Sequence, residues 1–506
     1  MSDGGRPASI LILGGGTAGW MAANLFQHRW GTLGTRVALI ESSEIGIIGV
    51  GEGSTPQLKA FFDAIGISEH EWMPRCNATY KAGIGFVGWS DRPGFESYFH
   101  PFPTTADART ANRFFFNTQA RRTGRDVWAH PDRFFLNSAI AQQRRAPVAA
   151  ADAPFQASYG YHFDAVLLGR YLKEVATGRG VEHVDAKIAS VELGEGGEVL
   201  ALEADDGRRF EADFFVDASG FRAMIIEQSL GEPRRSFADN LFNDRAVVAP
   251  TPLPPEGPGC CTLATAKTAG WIWHIPLTNR IGNGYVYSSR YLDRDAAAAE
   301  LRAHLGLAAE AEVRHLEMRV GRVERSWVRN CLAIGLAQGF LEPLEATALH
   351  IVLTTVEGFI AEVDSGRMGE AAHDHFNDAT ARRYEGIRDY IVCHYRTPLR
   401  RDTDYWCDAG AMTQLSDSLK GIMSAWFTGA ELDREVAEQD IGGYYSAVSW
   451  HCMLAGYGNF PDESKLSSPG LDVALVDMDE IDRLVADWAK AFPPHAEALG
   501  MLEDAA

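Results

Sequence analysis

Short apolar runs alternate with amphipathic stretches along the first part of the chain. Residues 9–13 and 36–40 are largely apolar, as buried parallel strands are, and residues 20–30 between them predict a helix. Residues 214–217 form another apolar run, which predicts a return strand of the same sheet. This order of elements indicates an α/β fold with a parallel sheet.

Other stretches predict antiparallel strands and helices. Residues 80–86 read as a strand, and residues 270–276 predict a strand with a hairpin partner at 281–288. Residues 181–193 and 199–203 predict a β-meander with a turn at 205–207. Helices are predicted at 59–67, at 164–175 and at 348–363, and the chain is mostly helical after residue 363, with 384–394 and 444–457 as landmarks.

Composition and charge exclude several classes of protein. The chain has 506 residues, 46% of them hydrophobic, which suggests two or more domains. Its formal net charge of -21 argues against nucleic acid or an anionic membrane as a partner. The seven cysteines are scattered and no apolar run approaches the ~20 residues of a membrane span. We therefore expect reduced thiols, neither a zinc site nor a disulfide framework, and a cytoplasmic location.

A glycine-rich turn follows the first predicted strand. The segment Gly14-Gly15-Gly16-Thr17-Ala18-Gly19 is a GxGxxG between a strand and a helix, and Glu41 ends the next strand. In this context the glycines let the backbone approach a pyrophosphate, and the acid accepts hydrogen bonds from ribose hydroxyls. The alternative is a glycine-rich turn of some other α/β fold.

Two later loops complete a pattern expected of a flavin-binding fold built from discontinuous segments. Asp217 to Gly220 follows the return strand, and Gly335 begins a turn that leads into the 348–363 helix. That turn carries Glu342 and Glu345 at a place where backbone N–H groups favour an anion, so the carboxylates need an explanation. The ordinary alternative is that one of them caps the helix. No second GxGxxG occurs between a strand and a helix, so reduced flavin is expected to come from another protein.

Single residues elsewhere suggest chemistry. Lys81 is a lone lysine in an apolar strand, where burial would be costly and would shift its pKa, and the alternative is a side chain that reaches the surface. Trp271 and Trp273 are two residues apart and project from the same face of their strand. A histidine among aromatics, such as His100, is more often a packed structural residue than an acid or base.

Together these motifs resemble the tryptophan halogenase group of flavin-dependent halogenases over most of the chain. The resemblance rests on residues 14–20, on 48–53 as a second flavin loop, on 271–276 as a WxWxIP signature, on Lys81, and on 327–345 as the closing flavin segment. It implies an α/β, FAD-binding Rossmann-like fold of the glutathione-reductase type, with an inserted β-sheet and a C-terminal helical domain. The expected division is a discontinuous FAD-binding, box-like domain over 1–365, with substrate-side insertions at about 80–160 and 230–320, and a mainly helical substrate domain over 366–506.

The resemblance also implies a mechanism. FADH2 from a separate NAD(P)H-dependent flavin reductase reacts with O2 to a C4a-hydroperoxide, which chloride or bromide attacks to give hypohalous acid. The oxidant passes through an internal passage to Lys81, and Glu345 polarises it or takes the proton of the aromatic ring. Trp271 and Trp273 keep the organic substrate away from the hydroperoxide, and Pro276 completes the signature to which they belong.

Residue roles follow from the same resemblance. The halide is expected at the backbone N–H groups of Thr347 and Ala348, and the aromatic substrate near His100. FAD is expected to contact twelve positions: Gly14, Gly16, Thr17, Ala18, Gly19, Glu41, Val50, Gly53, Ile188, Asp217, Leu336 and Leu349.

Two departures from the family pattern bear on specificity. Glu345 is followed by Ala346-Thr347-Ala348 where the family has Ser-Thr-Gly, so a Cβ stands where the backbone approaches the halide, and the choice between chloride and bromide stays open. No carboxylate lies between Tyr444 and Tyr457 to hold an ammonium group, so indole or another small electron-rich arene is expected rather than free tryptophan. The alternatives are a flavin monooxygenase that hydroxylates an aromatic and an FAD-binding redox sensor without turnover.

Overall fold

The computed structural model describes residues 5–45, 51–149, 153, 155–367, 369–468 and 478–503. The chain forms two compact units, each made of three segments. The first comprises Met1–Asn77, Phe163–Phe237 and Arg319–Tyr384, and the second comprises Ala78–His162, Ala238–Met318 and Glu385–Ala506. The second unit thus combines both predicted insertions with the C-terminal part, while the functional division at residue 365 stays a prediction.

A six-stranded sheet forms the centre of the first unit. Its strands lie in the order Trp327–Val328, Cys331–Ala333, Phe214–Asp217, Ser9–Leu13, Arg36–Glu41 and Glu182–Asp185. All neighbours are parallel except the first two. The apolar runs are buried because helices cover a parallel sheet, and its carboxyl ends form the edge where α/β folds bind ligands. The predicted parallel sheet and α/β class are confirmed.

Helices pack around this sheet through apolar faces and a few buried polar contacts. Asn24 donates to the carbonyl oxygen of Leu172, 2.9 Å away, and the rings of Phe26 and Phe359 meet edge to face. These contacts join the helix Thr17–Trp30 to the helices Ala165–Gly178 and Ala348–Asp364. The other helices of the first unit are Gln57–Ala64, Glu69–Trp72 and Gly335–Gln338, with a π-helical turn at Met224–Ser229.

The predicted β-meander is partly wrong. Glu182–Asp185 pairs in parallel with Arg36–Glu41, because the chain turns there and the Ala186 N–H donates to the carbonyl oxygen of Glu41. The separate antiparallel sheet is Ile188–Leu193, Val199–Ala204 and Arg209–Glu211. The remaining strands of this unit are Gly51–Gly53, Arg234–Ser236, Gly321–Val323 and Gly339–Phe340.

A seven-stranded sheet forms the second unit. Its strands lie in the order Arg314–Glu317, Arg245–Thr251, Ile281–Tyr287, Gly270–Pro276, Cys261–Lys267, Gly83–Val87 and Ser97–Pro101. The predicted 270–276 hairpin is confirmed. The predicted 80–86 strand is two strands, Thr79–Lys81 and Gly83–Val87, because the Ala82 N–H leaves the ladder and donates to the carbonyl oxygen of Cys260. Thr79–Lys81 pairs antiparallel with Gly160–Asp164.

The C-terminal part is mainly helical, as predicted. Glu370–Arg396 runs from the first unit into the second, and the other helices of the second unit are Ala108–Arg122, Leu136–Gln142, Arg294–Leu305, Asp404–Ala411, Asp417–Thr428, Leu432–Glu438, Ala447–Gly456, Met478–Ala489 and His495–Glu503. Short 3-10 turns occur at Gly31–Leu33, Pro74–Cys76, Thr105–Asp107, Pro131–Arg133, Gly220–Arg222, Pro343–Glu345 and Glu463–Lys465. Among the helices of the described ranges, none is long and apolar enough to cross a membrane.

Candidate active site

The glycine turn after the strand Ser9–Leu13 leaves room for a ligand at its backbone. A Cβ on Gly14, whose φ is +118°, would lie 2.2 Å from the carbonyl oxygen of Ala218, and a Cβ on Gly19 would lie 1.9 Å from that of Gly14. A Cβ on Gly16 would meet no atom of the described chain within 4 Å. Packing therefore requires the first two glycines, while the space in front of Gly16 suits a phosphate-bearing cofactor such as FAD.

The helix that begins at Thr17 points its free N–H groups at the same space. Gly16 is its N-cap without a side-chain cap, and the first turn carries no acidic residue. A pyrophosphate would accept from these N–H groups and meet the positive end of the helix dipole. Ala18 packs against Gly335, where an added Cβ would lie 2.9 Å from its methyl group, so the closing turn lies on this helix.

Glu41 stands at the carboxyl end of its strand, as predicted, and two basic side chains orient it. Its Oε1 lies 2.7 Å from Nζ of Lys173 and 3.0 Å from Nε2 of His183. The carboxylate lies against Gly15, whose added Cβ would overlap Oε2. Neither Lys173 nor His183 was predictable as a partner of Glu41, because both lie more than a hundred positions away and no local pattern links them to it.

The second flavin loop is described only in part. Val50 lies outside the described residues, whereas Gly53 ends the strand Gly51–Gly53. Burial, with the carboxylate of Asp164 as the second cause, raises the pKa of Glu52 from 4.5 to about 7. Ile188 is buried in the core of the first unit. The loop therefore holds a carboxyl group that is easily kept protonated, which sequence analysis did not single out.

Asp217 is a fully buried carboxylate whose acceptors are occupied by the chain itself. Oδ1 accepts from the backbone N–H and the hydroxyl of Ser219, at 3.0 and 2.6 Å, and Oδ2 accepts from the N–H groups of Ile225 and Ile226, both at 2.8 Å. Burial is the largest cause acting on the pKa of Asp217 and raises it, while these bonds lower it. Asp217 thus shapes the loop after its strand, and its contact with FAD stays a prediction.

The closing segment is fixed by a buried polar network. Nε2 of Gln338 donates to the hydroxyls of Ser326 and Thr355, each 3.0 Å away, and the hydroxyl of Tyr384 donates to Oε1 of Gln338. These bonds hold the short helix Gly335–Gln338, which includes Leu336. Through Thr355 the network also joins this short helix to the helix Ala348–Asp364.

Glu342 and Glu345 are both buried, and neither is the helix cap that the alternative required. The helix Ala348–Asp364 has Thr347 at its N-cap and no acidic residue in its first turn. Ala346, with φ of +55°, adopts the left-handed conformation that favours glycine. Glu345 is thus buried just before a helix N-terminus that starts with Thr347 and Ala348 and includes Leu349.

Lys81 lies inside the second unit and does not reach the surface. It is 0% exposed, and its Nζ lies 5.6 Å from the ring centroid of Phe102. Nδ2 of Asn137 donates to the carbonyl oxygens of Ala82 and Phe102, 3.1 and 2.8 Å away, and so fixes the backbone of the residue after Lys81 and of the residue whose ring lies near Nζ. The surface alternative for Lys81 is therefore wrong.

Trp271 and Trp273 lie side by side on the strand Gly270–Pro276. Both are buried, and their ring centroids are 6.3 Å apart at an interplanar angle of 59°. Buried indole N–H groups usually find an acceptor, yet neither has one in the part of the chain that the structure describes. The carbonyl of Pro276 accepts from the hydroxyl of Thr79, 2.7 Å away, which joins this strand to the Lys81 strand.

His100 belongs to a buried aromatic cluster of the second unit. Its ring meets that of Tyr390 edge to face at 6.2 Å. Tyr390 stacks on Tyr445 and meets Trp450 edge to face at 4.8 Å. Sequence analysis placed the last two in a Trp/Tyr-rich landmark but had no signal that they meet Tyr390. These contacts place His100 in an aromatic setting, and its role toward a substrate stays a prediction.

The predicted residues divide between the two units. The first unit contains the predicted FAD residues that the structure describes, together with Glu345, Thr347 and Ala348. The second unit contains Lys81, His100, Trp271, Trp273 and Pro276. Within the second unit, Lys81 and the paired tryptophans are on strands joined by the Thr79–Pro276 hydrogen bond.

Comparisons with known proteins extend over nearly the whole chain. The family model of tryptophan halogenase matches residues 9–470. A tryptophan 6-halogenase of Streptomyces toxytricini is 37% identical over 443 residues, which cover 83% of this chain and 84% of that protein. A 7-chloro-L-tryptophan 6-halogenase of Kutzneria sp. (strain 744) is 34% identical over 531 residues, which cover 97% and 99%. The solved structure of a flavin-dependent halogenase from Xanthomonas campestris superposes with a TM-score of 0.83 at 33% identity and covers 98% of each chain.

Proposed function

Because the chain belongs to the tryptophan halogenase family, we propose that it uses FADH2 and O2 to halogenate indole or an indole derivative, in preference to free tryptophan, with chloride or bromide. It is a flavin-dependent halogenase, and the proposal concerns its substrate and the residues that act on it. Lys81 and Glu345 are the two catalytic groups. The observation that carries this assignment is the complete burial of Lys81, a costly position for a lysine, in a chain of this family.

A separate NAD(P)H-dependent flavin reductase would reduce FAD. The bound, reduced FAD would then react with O2 and so provide the oxidising power that converts the halide. The chain's own part is to hold it in the first unit. The open space at Gly16 and the helix that begins at Thr17 receive the pyrophosphate, and Glu41 accepts from the ribose. Lys173 and His183 keep that carboxylate in place.

The halide is proposed to bind at the start of the helix Ala348–Asp364. The first N–H groups of a helix have no acceptor within the helix and carry its positive dipole end, so they attract an anion. The backbone N–H groups of Thr347 and Ala348 occupy this place. Ala348 is exposed, so its methyl group fills no packed space but narrows the path by which a halide would approach the N–H groups.

Lys81 and Glu345 divide the work of aromatic substitution. The amino group of Lys81 hydrogen-bonds hypohalous acid, or carries its halogen as a haloamine, so that a reactive oxidant is held in a confined place. With bound hypohalous acid, the ring attacks the halogen and the oxygen leaves as water with a proton from the Lys81 ammonium. With a haloamine, water leaves when the N–halogen bond forms, and the Lys81 nitrogen is the leaving group when the ring attacks. In either case Glu345 polarises the oxidant or accepts the ring proton. The unpartnered N–H groups of Trp271 and Trp273 suit a wall that faces a bound molecule.

The substrate preference rests on the aromatic cluster around Tyr390. A small indole can stack in such a cluster, whereas free tryptophan also requires partners for its ammonium and carboxylate groups. The segment from Tyr444 to Tyr457 contains no acidic residue. The nearby acids already have partners, since Asp433 bonds to His451 and Asp389 bonds to Arg388 and Ser416.

The test is an assay with a flavin reductase, FAD and either halide, with indole and tryptophan as competing substrates. We expect a halogen isotope pattern in the product and a kcat/KM at least about tenfold higher for indole. Equal rates with tryptophan would contradict the substrate assignment. A product that gains only one oxygen would indicate a hydroxylase, and bound FAD without any halide-dependent product would indicate a redox sensor.

A further inference from the structure

We propose that His162 is a positioning residue for Lys81, held as the neutral imidazole with its proton on Nδ1 by two threonine hydroxyls. The inference rests on the proposed role of Lys81. His162 is fully buried in the second unit, at the middle of the strand Gly160–Asp164. Neither the sequence motifs nor the proposed mechanism uses it.

The hydrogen bonds of Thr79 determine the tautomer. Oγ1 of Thr79 lies 2.7 Å from the carbonyl oxygen of Pro276, which can only accept, so the hydroxyl proton of Thr79 is used there. The same Oγ1 lies 3.0 Å from Nδ1 of His162, so it must accept and Nδ1 must donate. Nε2 of His162 then accepts from the hydroxyl of Thr262, 2.9 Å away.

This one ring joins four elements of the second unit. Thr79 is on the Lys81 strand, Thr262 is on the strand Cys261–Lys267, and Pro276 ends the strand of the paired tryptophans. Thr79 and His162 are directly paired in the register, so their side chains share a face of the sheet. Lys81 is two residues beyond Thr79 and lies on the same face.

The surroundings favour the neutral ring. Burial is the largest cause that holds the pKa of His162 well below 6.5, and the charges of Lys81, His495 and His274 lower it further. Lys81 is on the strand that pairs with the strand of His162. His274 is on the tryptophan strand, and His495 begins the last helix. A protonated ring would repel the ammonium form of Lys81, which the neutral ring does not.

The consequence is a lysine with little freedom to move. The strand that carries Lys81 is bonded through the hydroxyl of Thr79 to the tryptophan strand, and through His162 to the strand of Thr262. Catalytic groups act well only within about 0.5 Å of their productive geometry, so an error in this frame would release hypohalous acid instead of transferring its halogen.

Histidine-selective 15N NMR of the full chain tests the tautomer without any assay of activity. The signals of His162 are identified as those lost in His162→Gln. We expect the pattern of a neutral ring with the proton on Nδ1, unchanged from about pH 8 to about pH 6. A proton on Nε2, or titration near the ordinary value of about 6.5, would overturn the inference.

The functional test compares Thr79→Val with Thr79→Ser, since serine keeps the hydroxyl. We expect valine to lower the yield of haloindole per hypohalous acid formed by about tenfold, with the acid measured by a monochlorodimedone trap, and serine to retain most of the yield. Equal yields in the two variants would overturn the inference. If Thr79→Val does not fold, Thr262→Val against Thr262→Ser makes the same comparison at the other ring nitrogen. A wild-type chain that forms no hypohalous acid would refute the proposed function, whereas a wrong tautomer in the NMR test would overturn the inference about His162 alone.

Discussion

Replacement of Lys81 by methionine is expected to remove nearly all organic product while hypohalous acid is still formed. Methionine keeps the length of the side chain but has no amino group, and Lys81 is 0% exposed with Nζ 5.6 Å from the centroid of Phe102. The loss of one preorganised donor in a dry site costs about 10²- to 10³-fold in rate, or ~3–4 kcal/mol. Methionine also nearly preserves the volume of the buried side chain, so Tm measured in parallel separates a loss of chemistry from a loss of folding.

The assay measures three quantities on the same preparation. Haloindole is measured by mass spectrometry with a flavin reductase, FAD and bromide; hypohalous acid is measured by a monochlorodimedone trap; Tm is measured by calorimetry. Lys420→Met is the matched control, because the side chain of Lys420 is 55% exposed and pairs with Asp417 of the same helix. A product rate within about tenfold of wild type, or a loss of hypohalous acid parallel to the loss of product, would refute the role of Lys81.

Three further predictions concern Glu345, Gly16 and Glu52. Glu345→Gln keeps the size of the side chain but cannot take a proton, so the haloindole rate should fall about 10²-fold with FAD affinity unchanged in a fluorescence titration; an unchanged rate would exclude Glu345 as a base. Gly16→Ala should leave Tm unchanged, because the φ of -72° suits alanine and the added Cβ meets no described atom within 4 Å. The same Cβ should weaken FAD binding about tenfold or more, because it occupies the space proposed for the pyrophosphate. An unchanged affinity would mean that FAD does not approach Gly16. The pKa of Glu52 is raised to about 7 in the folded chain, from the ordinary value of 4.5. Between these two values the folded chain keeps a proton that the unfolded chain has released, so the free energy of unfolding falls as pH rises from about 4.5 to about 7. Glu52→Gln should therefore gain stability over wild type between about pH 5 and 7.5 in urea unfolding without FAD, and a constant difference would contradict the raised pKa.

Elements with a strong local pattern were predictable. The apolar run Ser9–Leu13 matches its strand, and the predicted 348–363 helix matches Ala348–Asp364 to one residue. The split at Ala82 was not predictable, because its cause is a hydrogen bond to Cys260, far away in the sequence. The helix Glu370–Arg396 was recognised only at its C-terminal end, since its first half is polar and carries a weak apolar pattern.

The candidate site was predictable in its motif residues but not in the side chains that support them. Lys81 and Glu345 stand in recognisable motifs, whereas Lys173, Tyr390 and His162 do not. Each of these three acquires its partner through tertiary structure, so neither spacing nor periodicity marks it. Burial was the other missing quantity, because a single lysine in a strand can equally be buried or reach the surface.

Burial of charge does not by itself identify a catalytic group, and the chain provides the contrast. Asp217 is as buried as Lys81, but its carboxylate accepts from the backbone N–H and hydroxyl of Ser219 and from two backbone N–H groups further along the chain. These four hydrogen bonds explain its burial, because they hold the turn after its strand. Arg122 is buried too, with a pKa lowered to about 10 chiefly by burial, and its guanidinium bonds the carbonyl oxygens of Trp426 and Ala430 and so closes a helix end. For these residues, substitution by an isostere should cost stability and leave any remaining activity unaltered in kind. For Lys81 a different result is expected, a chain that still makes oxidant but no haloindole, because the proposed work of its amino group is on the oxidant.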